Sequence, residues 1–240
     1  MTDPRRTFVL VHGAWHGGWC WQETRAVLEE AGHRVFTPTQ TGLGERAHLL
    51  SRDITLDTFV EDIANVLRFE ALEDVVLVGH SFGGLAISGV ADRMPERLRQ
   101  LIYLDSMLLE SGQCPFDTLS AEVVEGRIRA AEESSGGLSL PFPKPKSLGI
   151  LTEADAAKLG NRLTPHPVST YRSPLHLKHP LTNGVPAAYV VCTDPIYTPL
   201  EASRQFAKAK GLPFIEFATG HDAMITAPDA LAHLLMKIAG

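Results

Sequence analysis

Short runs of consecutive apolar, β-branched residues alternate along this chain with longer stretches in which apolar positions recur every three or four residues. The short runs have the length of strands covered on both faces, and the long ones have the period of amphipathic helices. Their alternation predicts parallel strands joined by helical crossovers. Strands are expected over 8–11, 34–37, 75–78, 100–104, 187–192 and 213–217. Helices are expected over 19–30, 57–69, 83–94, 200–210 and 228–238. Gly32 closes the first helix, Pro38 ends the strand after it, and Pro95 stops the third helix. The fold class is α/β, with a mostly parallel sheet of about six strands and helices on both faces.

The alternation breaks between residues 110 and 183. This stretch holds Pro115, Pro141, Pro143, Pro145, Pro165, Pro167, Pro174 and Pro180, and its helical pattern survives only as islands over 121–133 and 153–159. Thr152 and Asp155 are placed to cap the second island and Gly160 to end it. A long segment inserted between two strands of a regular sheet is expected to cover the carboxyl ends of the strands, where such sheets bind ligands, unless it is only a surface insertion. The expected organisation is a core of 1–109 and 184–240 with a cap, or lid, over 110–183.

Composition narrows the classes of function. The 240 residues suffice for one sizeable core, and 44% hydrophobic with 21% charged residues is ordinary globular usage. The net charge of −6 is spread without a basic run, which argues against nucleic acid and anionic membrane surfaces as partners. The start, Met1-Thr2-Asp3-Pro4-Arg5-Arg6, leads into an apolar run too short for a signal-peptide core or a membrane span, so a cytoplasmic location is expected. Cys20, Cys114 and Cys192 are widely spaced and are read as buried free thiols rather than a disulfide framework or zinc site.

The strongest chemical signal is Gly79-His80-Ser81-Phe82-Gly83, directly after the apolar run 75–78. A serine on a tight strand-to-helix turn sits in a strained conformation, and only residues without a Cβ fit the crowded positions beside it. Ser81 is the candidate nucleophile. A serine hydroxyl needs a base, and the base needs an acid that fixes its tautomer. His221 follows the last strand and is the candidate base. Asp194, after the strand 187–192, is the favoured acid, and Asp105, after the strand 100–104, is its rival. Asp222 is read as solvated or as a helix cap. Backbone N–H groups of Phe82 and of Ala14, on the turn made by Gly13, are the candidate oxyanion donors. His12 and His80 are read as structural or substrate-lining, and with Gly13, Trp15 and Phe82 they complete the candidate substrate-binding set. His12 and His16 lie on a glycine-rich turn rather than a helix, so no metal site is expected. Trp15, Trp19 and Trp21 are read as core or pocket wall. Leu138, Leu140, Phe142, Leu148 and Tyr171 point to a hydrophobic or aromatic substrate, or form the core of the cap itself.

The segments FVLVHGAWHGGWCW, TGLGERAHLL, VVLVGHSFGGL, CTDPIYTPL and GHDAMITAPDAL resemble those of α/β-hydrolase-fold proteins. The resemblance covers nearly the whole chain and is closest to a small esterase branch that includes plant methylesterases, hydroxynitrile lyases and bacterial carboxylesterases. It implies a triad of Ser81, Asp194 and His221, oxyanion donors Ala14 and Phe82, no cofactor, a small ester substrate and a homodimer. The short stretch before Phe8 leaves no room for the two leading strands of the eight-stranded version, so a six-stranded core fits. Hydroxynitrile lyases of the branch carry a threonine at the place of Gly13 and a lysine at that of Asp222, which disfavours lyase chemistry here because a carboxylate repels cyanide. Ester hydrolysis through an acyl-enzyme is therefore the expected activity. Cofactor-free oxygenase chemistry and a ligand-receptor role are the alternatives on the same fold.

Overall fold

The computed structural model describes residues 5–240; residues 1–4, which belong to the lead-in read above, lie outside the described residues. In chain order the elements are β1 Thr7–Val11, α1 Gln22–Glu30, β2 Arg34–Phe36, α2 Leu56–Phe69, β3 Val75–His80, α3 Gly83–Arg93 and β4 Leu98–Leu104. The inserted segment contributes α4 Ala121–Ser135, β5 Ser139–Leu140, α5 Glu153–Leu159, β6 His166–Pro167 and α6 Val168–Arg172. The chain then returns through β7 Ala187–Cys192, α7 Glu201–Ala209, β8 Phe214–Phe217, α8 Ala223–Thr226 and α9 Pro228–Ala239.

Six strands form one sheet in the order β2-β1-β3-β4-β7-β8, with every neighbouring pair parallel. All six residues of β3 are buried, which requires cover on both faces and explains why this strand reads as an unbroken apolar run. The first helix begins later than the periodicity suggests because Gly18–Trp21 form a tighter 3-10 turn ahead of α1. Thr55 opens α2 with a reciprocal capping box to Thr58. The two-stranded antiparallel ribbon of β5 and β6 was not visible as a pattern, because each strand is only two residues long.

Register sets up the site. His80 at the end of β3 lies opposite Leu104 at the end of β4, and Leu104 in turn lies opposite Val190 of β7. The residues after these ends, Ser81 and Asp105, therefore leave adjacent strands at the same edge. No helix among the described residues is long and apolar enough to cross a membrane.

Candidate active site

Ser81 follows β3 with a φ of 52°, in the left-handed region that a residue with a Cβ avoids. The turn is held by its surroundings. The Ser81 N–H donates to the Leu104 carbonyl at 3.1 Å, and the Ser81 carbonyl accepts from Met107 and Gly84. A Cβ at Gly79 would lie 2.9 Å from the Gly83 carbonyl oxygen, and one at Gly83 would lie 2.6 Å from that of His12. The flanking glycines are thus steric requirements of the turn. Gly13 is a third, because a Cβ there would lie 2.8 Å from the Ser81 Cβ.

His221 Nε2 lies 3.0 Å from Ser81 Oγ, and its Nδ1 lies 2.7 Å from Asp105 Oδ2. The acid on the histidine is therefore Asp105, and the expectation of Asp194 is corrected. The reason is sheet order. Strand β4 neighbours β3, so Asp105 stands one strand from Ser81, whereas Asp194 leaves β7, one strand further, on an exposed turn before Pro195. Asp105 is fully buried with a φ of 37°, its N–H donates to the Val190 carbonyl at 2.7 Å, and Arg204 approaches its second oxygen at 3.8 Å. Tyr197 stacks on the His221 ring, with centroids 4.0 Å apart and planes 17° apart.

A second polar layer lies behind the histidine. Asp222 is fully buried and neither solvated nor a side-chain cap for α8, which corrects both readings of it. Its Oδ2 lies 3.1 Å from His16 Nε2 and its Oδ1 lies 3.8 Å from His80 Nε2. Burial opposes charge on both partners, but each overcomes that cost for the other. The His16 pKa is raised by Asp222, and the Asp222 pKa is lowered chiefly by His16. His80, whose Nε2 meets the His221 carbonyl at 3.0 Å, has its pKa pushed well below the ordinary value by burial and then by the charge of His221. His12 bonds the Gly13 carbonyl and accepts the Gln40 N–H, and burial lowers its pKa to about 3. His12, Gly13 and His80 thus hold the backbone behind the site and line neither cavity at it, contrary to their place in the expected substrate-binding set. His80, His221 and Asp222 have potential metal-ligand atoms within 4.8 Å of one another, but each already has a partner in this network, and both ring nitrogens of His221 are engaged.

Ala14, Trp15, Ser81 and Phe82 line a small inner cavity of about 20 Å³, closed by Met107, Leu119, Arg127, Tyr171, Tyr197, Pro199 and Leu200. Beyond it opens an outer cavity of about 660 Å³ that reaches His221 and is walled by α4, the β5 region and the loop from Pro195 to Pro199. Among the described residues, no hydrogen bond within the chain engages the Ala14 or the Phe82 amide, so both N–H groups beside Ser81 are free to donate. Of the apolar candidates in the insertion, Tyr171 lines the inner cavity and Leu140 the outer one. Leu138 faces a separate pocket, Leu148 is buried, and Phe142 is exposed. Trp21 is fully buried core, and Trp19 packs beneath Arg162. Cys20 and Cys192 are buried thiols whose pKa values burial pushes up, but Cys114 is partly exposed.

Sequence reasoning missed Tyr197 and Arg127. Tyr197 lies in the segment CTDPIYTPL already quoted, so its position was available although its stacking was not. Arg127 had a signal in its helical spacing, which places no carboxylate three or four residues from it.

The sequence profile of the alpha/beta hydrolase family matches residues 8–234. A carbendazim hydrolyzing esterase from Nocardioides sp. (strain SG-4G) is 39% identical over 243 residues, covering 96% of this chain and 98% of that protein. Methylesterase 1 of Arabidopsis thaliana is 29% identical, covering 100% of this chain and 98% of its own. Among solved structures, an extracellular alpha/beta-hydrolase from a Paenibacillus species, described as sharing structural and functional homology with tobacco salicylic acid binding protein 2, superposes with a TM-score of 0.78 at 26% identity. That superposition covers 98% of this chain and 99% of the other.

Proposed function

Because the chain belongs to the alpha/beta hydrolase family, and esterases are among its relatives, we propose that it is a serine esterase that cleaves small carboxylic esters through an acyl-enzyme. The observation that carries this reading is the continuous chain Asp105–His221–Ser81, with contacts of 2.7 and 3.0 Å. In this mechanism Asp105 fixes the tautomer of His221, which takes the proton of Ser81 as its Oγ attacks the ester carbonyl. The negative charge that develops on the carbonyl oxygen is met by the Ala14 and Phe82 amides, each donor contributing on the order of 3 kcal/mol to lowering the barrier. His221 then returns the proton to the leaving alcohol, and water repeats the sequence on the acyl-enzyme. The inserted segment serves as a cap whose inner face, with the loop of Tyr197, bounds the ester.

Lyase chemistry is disfavoured not by cyanide repulsion but because no cation stands at the place of the lyase lysine. The carboxylate of Asp222, at the place where hydroxynitrile lyases of the resembled branch carry lysine, is buried and paired with His16, and it lines neither cavity at the site. A serine-directed phosphonate with mapping of the modified residue tests the proposal directly. Ser81 is expected to carry the label, and Ser81→Ala is expected to lose at least a thousandfold in kcat on aryl esters while keeping its circular dichroism spectrum. Substantial turnover by Ser81→Ala rules this mechanism out.

A further inference from the structure

Helix α4 carries two arginines, and helical spacing gives them opposite surroundings. Arg129 has Glu125, Glu132 and Glu133 at i−4, i+3 and i+4, the positions from which a carboxylate can pair it. Arg127 has Val123, Val124, Ala130 and Ala131 at the corresponding places. Among the described residues no ion pair includes either arginine, but Arg129 has glutamates within helical reach and Arg127 has none. Its guanidinium instead lies over the Tyr171 ring, 5.2 Å from the centroid, and also engages the Tyr171 side chain in a hydrogen bond. It also borders both chambers of the site, sharing the inner cavity with Ser81 and the outer one with His221. A half-buried cation without a carboxylate partner, set among apolar and aromatic walls beside Ser81, is placed to receive an anion that a ligand brings.

We propose that Arg127 anchors a carboxylate carried by the substrate, so that the ester cleaved at Ser81 belongs to a half-ester of a dicarboxylic acid. This rests on the esterase reading above. Arg127 stands where the space beside Ser81 meets the outer cavity, so a carboxylate that it holds lies a short or aromatic spacer away from the scissile carbonyl. In the net reaction water supplies hydroxide to the acyl carbon and a proton to the leaving alkoxide, and the new carboxylic acid releases its proton to solvent, giving the dicarboxylate, the alcohol and one proton. The free carboxylate takes no part in bond making and holds the acyl group in register.

The test compares the monomethyl and dimethyl esters of one aromatic dicarboxylic acid, each normalised to its rate with hydroxide. Wild-type protein is expected to favour the monoester. Arg127→Met should lower the monoester-to-diester ratio of kcat/KM roughly thirtyfold or more, and Arg127→Lys by less, because it keeps the charge but loses the planar fork. An equal loss on both esters at unchanged Tm means that Arg127 only supports Tyr171, and overturns the proposal. Calorimetric binding of the monoester to Ser81→Ala protein, with and without Arg127→Met, reads the anchor without turnover. If phosphonate labelling fails but this binding depends on Arg127, the esterase reading falls and the anion site stands. If labelling succeeds and binding is indifferent to Arg127, the reverse holds.

Discussion

At the scale of single residues, two aspartates compete for one histidine, and geometry separates them. Asp105 is buried against His221 Nδ1, and Asp194 is exposed on the turn after β7. In the proposed mechanism, Asp105→Asn presents the wrong tautomer to Ser81 and is expected to lower kcat by about 10⁴. Asp194→Asn should stay within a fewfold of wild type when both are assayed on the same aryl ester. Equal losses would mean that Asp105 is only a scaffold. Ser81 and His221 were legible because each follows a strand end on a short, well-patterned turn. Asp105 also follows a strand end and was recognised as a rival. What the sequence lacked was lateral order, because the long insertion after β4 hides the fact that β4 neighbours β3 and that β7 lies one strand further out. Asp222 was misread for a related reason. Its partner His16 lies far away in sequence on the opposite side of β3, and local composition does not reveal such a contact.

At the scale of elements, the strands and helices of the sheet were legible to within a few residues because their cover enforces clean periodicity. Of the insertion only the helical islands were legible, appearing as α4 and as α5 with Thr152 at its start and Gly160 at its end, and the remaining pieces were not, because they are short, proline-rich and held by contacts with the core. One of those contacts is close enough to matter for catalysis. Gly149, with a φ of 77°, lies so near the loop before α8 that a Cβ there would be 2.9 Å from both Gly220 Cα and His221 N. The Asp222 N–H also donates to the Leu148 carbonyl at 3.2 Å. Gly149→Ala is therefore expected to lower kcat at least tenfold, by displacing His221, and to cost about 1–3 kcal/mol of stability from the strained backbone. Steady-state kinetics beside chemical denaturation separate the two effects. A stability loss with unchanged kcat would show that the seam is passive.

At the scale of the whole molecule, the buried His16–Asp222 pair makes stability depend on pH in a defined window. The raised His16 pKa contributes stability that is full below the ordinary value of 6.5 and is lost as pH rises through the folded value. The lowered Asp222 pKa contributes stability that is full above the ordinary value of 3.8 and is lost as pH falls through the folded value. The difference in unfolding free energy between wild type and Asp222→Asn should thus be widest between about pH 4 and 6.5, on the order of 3 kcal/mol, and narrow toward pH 9. Urea denaturation at pH 5.5 and pH 9 checks this, and an equal gap at both would mean that the pair is not ionic. The two chambers have a consequence of another kind. A space of about 20 Å³ beside Ser81 is the size of a single water molecule, whereas the chamber outside it is about 660 Å³. Trp15, Arg127, Tyr197 and Pro199 border both, so any ester has to part these walls before it meets Ser81, whereas water fits without moving them. In the proposed mechanism the acyl group has already parted these walls, and water needs less further opening than a second alcohol, so the acyl-enzyme is expected to partition toward hydrolysis rather than acyl transfer.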